Sequence, residues 1–370
     1  MDRTTAILLR LIALGLGNDV EFDIPREGVD WQAVIQRAMA EGLDAVSFDG
    51  LQALYKRRPE LTEALDESLG VDKFNWMSFT LQAELDYAKY REKLQELAAF
   101  YNDAGLPVMV VKGFGLSLNY PVPQHRPTGD IDIYLFGRWE EADRLLAETK
   151  GIRIDNSHHH HSVFHFRGVL VENHYDLINI HVRPSNRRLE PLLKELAARE
   201  PVEMSLAPDG GSRILLPCAD FNALFLLRHA ALHFSSGAVN LRILLDWLLF
   251  VRQHGSEVDW KWLYGILEWE NMVHFTNSLN AIGVRYLGFA PELFPGIEQD
   301  QALVDRVFGE ILHPAFQDKE DGTLLNSLWV KLTRWWSNRW KYRLCFSDSL
   351  TAAFFHSLFA KFLKPKSLVH

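Results

Sequence analysis

Apolar residues recur at helical spacing through residues 1–104, and then the period changes. In the stretch TTAILLRLIALGLGND, Leu8, Leu11 and Ile12 fall on one stripe of a helix and Arg10 interrupts the apolar run. The pattern predicts an amphipathic first helix rather than a signal peptide. DWQAVIQRAMAEGL predicts a second helix, with Asp30 placed to cap it and Gly42 to stop it. A longer one is predicted over 72–102, with Trp76, Phe79, Leu94, Leu97 and Tyr101 among its apolar positions and Gly105 as its C-terminal stop.

From Pro107 the spacing is that of strands. PVMVV is a short β-branched run, and DIDIYLF alternates polar and apolar over its first four residues. Between them lie a turn, one or two helical turns and a Pro-rich loop. EEADRLLAET predicts a helix, and SVFHFRGVLVENHYDL a hairpin turning at Arg167–Gly168. VEMSLAPDGGSRILL predicts a smaller hairpin turning near Gly210–Gly211. From Asp220 onward the pattern is helical again. The expected fold is α+β: a small α/β core over 105–218, between an N-terminal helical region (1–104) and a C-terminal all-helical domain (219–370).

Asp130 and Asp132 complicate the second strand. Period two sends both carboxylates to one face, where they repel each other unless a cation lies between them or one is protonated. A hard divalent ion meets that need, Mg²⁺ above all, with Mn²⁺ as the alternative. Upstream, a strand ends in Lys112–Gly113 and opens into a short helix, a place for a polyphosphate. Downstream, Glu172, His174 and Asp176 share a strand face. A third carboxylate, Glu172, would complete a site for one or two ions. Such sites serve phosphoryl or nucleotidyl transfer, binding the attacking and leaving oxygens of an in-line displacement.

VVKGFGLSLNYPVPQHRPTGDIDIYLF, followed by GVLVENHYDL, resembles the uncharacterised nucleotidyltransferase group of the polymerase-β-like superfamily. The match falls at Lys112, Gly113, Tyr120, Pro121, Arg126, Asp130, Asp132, Glu172 and His174, and the later LLPCADFNALFLLRHAALH and LRILLDWLLF resemble that group's helical half. The resemblance implies a nucleotidyltransferase-type mixed sheet flanked by helices. It further implies Asp130, Asp132 and Glu172 as catalytic metal ligands, holding two ions. Lys112, Gly113, Ser117 and Arg126 become the nucleotide-binding candidates, with Arg126 either touching phosphate or pairing with an aspartate. Where broader members carry Gly-Ser or Gly-Gly, this chain has Lys112–Gly113, so contact with the terminal phosphate falls to Ser117 or Lys112. His174, His229 and His233 are expected as support around the ligands.

Composition narrows the partners. The net charge of −9 argues against bulk affinity for nucleic acid. Two cysteines, Cys218 and Cys345, are too few for a disulfide framework or a Cys-based zinc site and fit a reducing cytoplasm, the expected location. No apolar run approaches the ~20 residues that span a membrane. The run His158–His161 is expected to be an exposed loop, since strand alternation would split it across two faces. His229 and His233, at i and i+4, are expected to pack against the catalytic core, lining its cleft, rather than to bind zinc. Asp246, polar within an apolar helix, is expected to pair with Arg242 or a histidine.

Lys331 to His370 carries eight Lys or Arg against one acid, Asp348. Snorkelling side chains around inward-packed tryptophans explain that bias, and a site for an anionic partner is the sharper reading. The sequence therefore points to a Mg²⁺-dependent nucleotidyltransferase that takes a nucleoside triphosphate such as ATP and an acceptor it does not specify: small molecule, protein or RNA end. The rival is a non-catalytic binding protein that keeps the fold.

Overall fold

The computed structural model describes residues 1–21, 28–207, 210–237, 239–314 and 337–349. The N-terminal region forms α1 (Arg3–Gly15), α2 (Trp31–Ala40), α3 (Asp44–Arg57), α4 (Thr62–Leu69) and the long α5 (Val71–Asp103). Asp30 caps α2 as the sequence predicts, its Oδ1 accepting from Ala33 N at 2.9 Å. Trp76, Leu94, Leu97 and Tyr101 of α5 are buried, but Phe79 is exposed, because the helix leaves the core along part of its length.

The central segment gives β1 (Met109–Val110), α6 (Phe114–Ser117), β2 (Ile131–Tyr134), α7 (Trp139–Lys150), β3 (His161–Phe166), β4 (Val169–His174), α8 (Pro184–Ala198), β5 (Val202–Ser205) and β6 (Arg213–Leu216). These strands make one mixed sheet in the order β3-β4-β2-β1-β6-β5. β2 runs parallel to β4 and antiparallel to β1, while β1 runs parallel to β6. The β3–β4 hairpin turns at Arg167–Gly168 as expected. Both residues take positive φ, 49° and 82°, which a two-residue turn matched to the twist of its strands requires.

Next come α9 (Ala219–Ser236), α10 (Leu241–His254), α11 (Trp260–Trp269), α12 (Val273–Leu287) and α13 (Gln301–Leu312), and residues 337–345 are also helical. No described helix is long and apolar enough to cross a membrane.

The sheet separates two cores. Val108, Val110, Ile131, Ile133 and Val171 face the far half of α5 and helix α7. Met109, Val111 and Tyr134 face a larger core built with α1–α3 and the C-terminal helices. The acidic residues of β2 and β4 lie on this second face.

Candidate active site

The register of the parallel pair sets Asp132 beside Glu172 and Tyr134 beside His174. Alternation sends Asp132, Glu172 and His174 to the face opposite Ile131, Ile133 and Val171. On the other flank of β2, Val111 N donates to Asp132 O at 3.1 Å, so the chain leaves β1 with Lys112 alongside the aspartate. Lys112 Nζ lies 2.9 Å from Asp132 Oδ1. His174 Nε2 lies 3.0 Å from that same oxygen and 3.5 Å from Glu172 Oε2. Asp132 Oδ2 is buried without a hydrogen-bond partner, on a side chain only 1% exposed. A bare carboxylate lone pair in that setting is costly unless a cation completes it. Asp130 is half-buried one residue before β2, where its carbonyl oxygen accepts from Tyr90 Oη at 3.3 Å.

The charges are strongly coupled. Burial disfavours the Lys112 ammonium, but the charges of Asp132, Asp130 and Glu172 outweigh it and hold the group protonated well above the usual lysine range. Burial likewise opposes the His174 imidazolium, and hydrogen bonds to Asp132 and Glu172 overcome it, raising the group to about 9. Burial would raise Glu172, yet His174, Lys112 and His161 hold it far below the ordinary carboxylate range. Asp130 is raised, by burial first and then by the Asp132 charge. Two protons, on Lys112 and His174, thus sit where a divalent ion would balance the same carboxylates. Ligand atoms of Asp132, Glu172 and His174 lie within 4.8 Å of one another, so the residues present fit a divalent cation.

The chain matches a family model described as uncharacterised nucleotidyltransferase over residues 27–276, more than half of its 370 residues and the whole of this site. It belongs to that family. No curated protein and no solved structure gave a match. As a member of this family the chain has the mixed sheet and flanking helices that its motifs led us to expect.

Not every residue of the motif faces the site. Gly113 does sit at its rim with φ +60°, and a Cβ there would lie 2.8 Å from Tyr90 Oη, so glycine is required on two counts. Ser117 is turned inward: its Oγ donates to Phe114 O at 2.6 Å and lies 2.9 Å from Tyr87 Oη. α6 is a single turn and presents the hydroxyl expected to meet phosphate to α5 instead. So short a helix also lacks the stacked peptide dipoles of a real anion-binding N-terminus, which leaves Lys112 as the cation of this rim.

Arg126 pairs with neither site aspartate. Its Nε and Nη2 donate to the two oxygens of Asp246 at 2.8 Å each, and its Nη1 donates to Gly113 O at 3.2 Å. Tyr120 Oη donates to the same Asp246 at 3.0 Å. Asp246 thus takes Arg126, not Arg242 or a histidine. Tyr120 and Arg126 of the motif serve as a buried clamp between the Pro-rich loop and α10. His229 and His233, on α9, pack ring against ring at 4.3 Å. Burial and then the nearby charges of His233 and Lys112 push His229 well below its usual range. Asp176 pairs with Lys194 at 2.6 Å, away from the carboxylate cluster.

The histidine run departs most from expectation. His159 and His161 are buried, at 5% and 1% exposure, rather than exposed. His161 opens β3 and stands opposite His174 in the register, while the chain bends before it. Strand alternation therefore does not separate the rings. Burial lowers His161 to about 3 and takes His160 well below its ordinary value. The signal was present in the sequence, four histidines leading into a strand that pairs with the strand of Glu172, but the bend that gathers them was not.

The basic, aromatic C-terminal segment falls partly outside the described residues, at 331–336 and 350–370. Within 337–349 it packs inward: Lys341 is 1% exposed and lies 2.7 Å from Glu310 Oε2, and Trp340 meets Phe234 edge-on at 5.6 Å.

Proposed function

We propose that the protein transfers a nucleoside monophosphate from a nucleoside triphosphate to an acceptor hydroxyl, with Mg²⁺ held by Asp130, Asp132 and Glu172. The observation that carries this reading is the buried, unpartnered Asp132 Oδ2 beside Glu172, with Lys112 at 2.9 Å supplying the adjacent positive charge. When bound, the ion would neutralise phosphate charge and polarise the acceptor oxygen. Lys112 exchanges its bond to Asp132 for the phosphate oxygens. Glu172, kept ionised, favours departure of the acceptor's proton to water. The acceptor oxygen bonds to the α-phosphorus as its bond to the bridging oxygen breaks, and pyrophosphate leaves. His229 and His233 border the cleft in which the acceptor would lie.

Calorimetry with ATP, CTP, GTP and UTP, with and without Mg²⁺, tests the donor half. Metal-dependent binding of at least one triphosphate, lost in a folded Asp130→Asn variant, is the expected result. The inward turn of Ser117 favours the rival, a binding protein that keeps the fold, and absence of binding to all four would leave that reading in place. Labelled triphosphates incubated with a cell extract then show which molecular fraction accepts the label.

A further inference from the structure

We propose that His160, His161, His174 and Glu172 form a second metal site, selective for a borderline divalent transition ion of the zinc kind. His161 and His174 are a directly opposed cross-strand pair, with ring centroids 5.2 Å apart. His160 lies just off the strand, yet its backbone is fixed: its carbonyl oxygen accepts from Tyr175 N at 3.1 Å and Asp176 N at 3.0 Å. Its ring meets that of His161 at 4.2 Å and that of His174 at 5.7 Å. One nitrogen from each of the three rings lies within 4.8 Å of the other two.

His174 Nε2 is bonded to Asp132 Oδ1 at 3.0 Å and would exchange that bond for the ion, whereas the other two rings hold nitrogens without a partner. Both ring nitrogens of His161 and Nδ1 of His160 are buried with no hydrogen-bond partner. Glu172 Oε1 faces His161, but at 3.7 Å from Nε2 it is too far for a hydrogen bond. That spacing suits an ion between them. A tetrahedral ion with bonds of about 2.0–2.1 Å keeps neighbouring ligand atoms roughly 3.3 Å apart. Glu172 faces both rings at spacings near that value, its Oε1 3.7 Å from His161 Nε2 and its Oε2 3.5 Å from His174 Nε2. Three imidazoles and one carboxylate form a set that prefers zinc, cobalt or nickel over Mg²⁺, which takes oxygen ligands. Because the rings are set by a strand register and by backbone bonds, little ordering is left for the ion to impose. Binding would release the His174 proton, since a ligating ring must be neutral. The site does not rest on nucleotidyl transfer: it requires neither triphosphate nor Asp130.

Cobalt is the probe. The full chain, free of any affinity tag and stripped with EDTA, is titrated with Co²⁺ in the presence of excess Mg²⁺, and its visible absorption is followed. The expected result is one equivalent of Co²⁺ with the intense bands of a four-coordinate ion, bleached by Zn²⁺. His160→Gln and His161→Gln each weaken binding by about tenfold or more, on the scale by which altered metal-site contacts act. His159→Gln and Asp130→Asn leave it within about threefold. Far-UV circular dichroism checks the fold, and His160→Gln, off the strand, keeps the test open should His161→Gln unfold. Weak bands that Mg²⁺ removes, or an equal loss in His159→Gln, would overturn the proposal in favour of simple capture by the histidine run. Loss in Asp130→Asn would merge the ion with the Mg²⁺ position and overturn it too. Failure of every triphosphate to bind leaves this result untouched.

Discussion

Without an ion, Asp132 depends on protons carried by Lys112 and His174, and that dependence has a pH signature. His174 is held at about 9 against an ordinary value of 6.5. Its stabilising charge is fully present below about pH 6.5 and is lost as the pH rises through about 9. Glu172 works in the opposite direction: its depressed value adds stability above pH 4.5 that is lost as the pH falls further. Each tenfold change in proton affinity between the folded and unfolded chain is worth ~1.4 kcal/mol. Urea unfolding in EDTA should therefore show stability falling by about 2–3 kcal/mol between pH 6.5 and 9. His174→Gln should flatten that slope, and an unchanged slope would assign it to another group. The residues that titrate here were legible in the sequence because a strand's period of two is rigid. Once Asp132, Glu172 and His174 are put on strands, their face follows. Ser117 and Arg126 were not legible, because a one-turn helix and a Pro-rich loop carry no period from which direction can be read.

Arg126 and Asp246 tie two elements together. The loop before β2 holds the Asp130 end of the site, and α10 is anchored to that loop by two bonds of 2.8 Å between side chains that are each only 8% exposed. Removing one member strands the other's charge. Asp246→Asn and Arg126→Met should each destabilise by about 3–5 kcal/mol, while Arg126→Met with Asp246→Leu should recover part of the loss, since no orphan charge remains. A double-mutant cycle in urea measures the coupling. If Arg126→Met instead keeps full stability and abolishes triphosphate binding, the arginine is a phosphate contact after all. At this scale the sequence was informative wherever local chemistry decides. Asp30 caps α2, Arg167–Gly168 turns the hairpin, and the 33-residue α5 lies within one residue of the predicted range at each end. Pairing partners far apart in the chain, such as Arg126 with Asp246 or His160 with His174, depend on tertiary placement that no local pattern encodes.

For the whole molecule, the decisive feature is that helices from both ends of the chain share one core. Ile7 through Trp76 belong to the same buried cluster as Phe221 through Phe346. Polar contacts reinforce the join: Asn18 Nδ2 donates to Leu287 O at 2.6 Å, Arg252 Nη1 to Leu16 O at 2.9 Å, and Leu241 N to Glu41 Oε2 at 2.9 Å. Helices α1 and α3 cross so closely that a Cβ on Gly50 would lie 1.8 Å from Leu11 O, and one on Gly15 2.0 Å from Val46 O. Backbone atoms cannot yield as a flexible side chain can, so Gly50→Ala should cost about 3 kcal/mol by forcing the helices apart. The family match begins at residue 27, beyond α1, and ends at 276, before most of α12 and all of α13. A fragment cut to those limits would therefore keep every candidate ligand and yet expose the faces of α3 and α10 that the missing helices cover. It should bind a hydrophobic dye and lack a cooperative unfolding transition, whereas the full chain should unfold in one step by both tryptophan fluorescence and circular dichroism. A fragment that unfolds sharply and binds triphosphate would show instead that the sheet and its nearest helices stand alone, and that the shared core serves a purpose other than holding the site together.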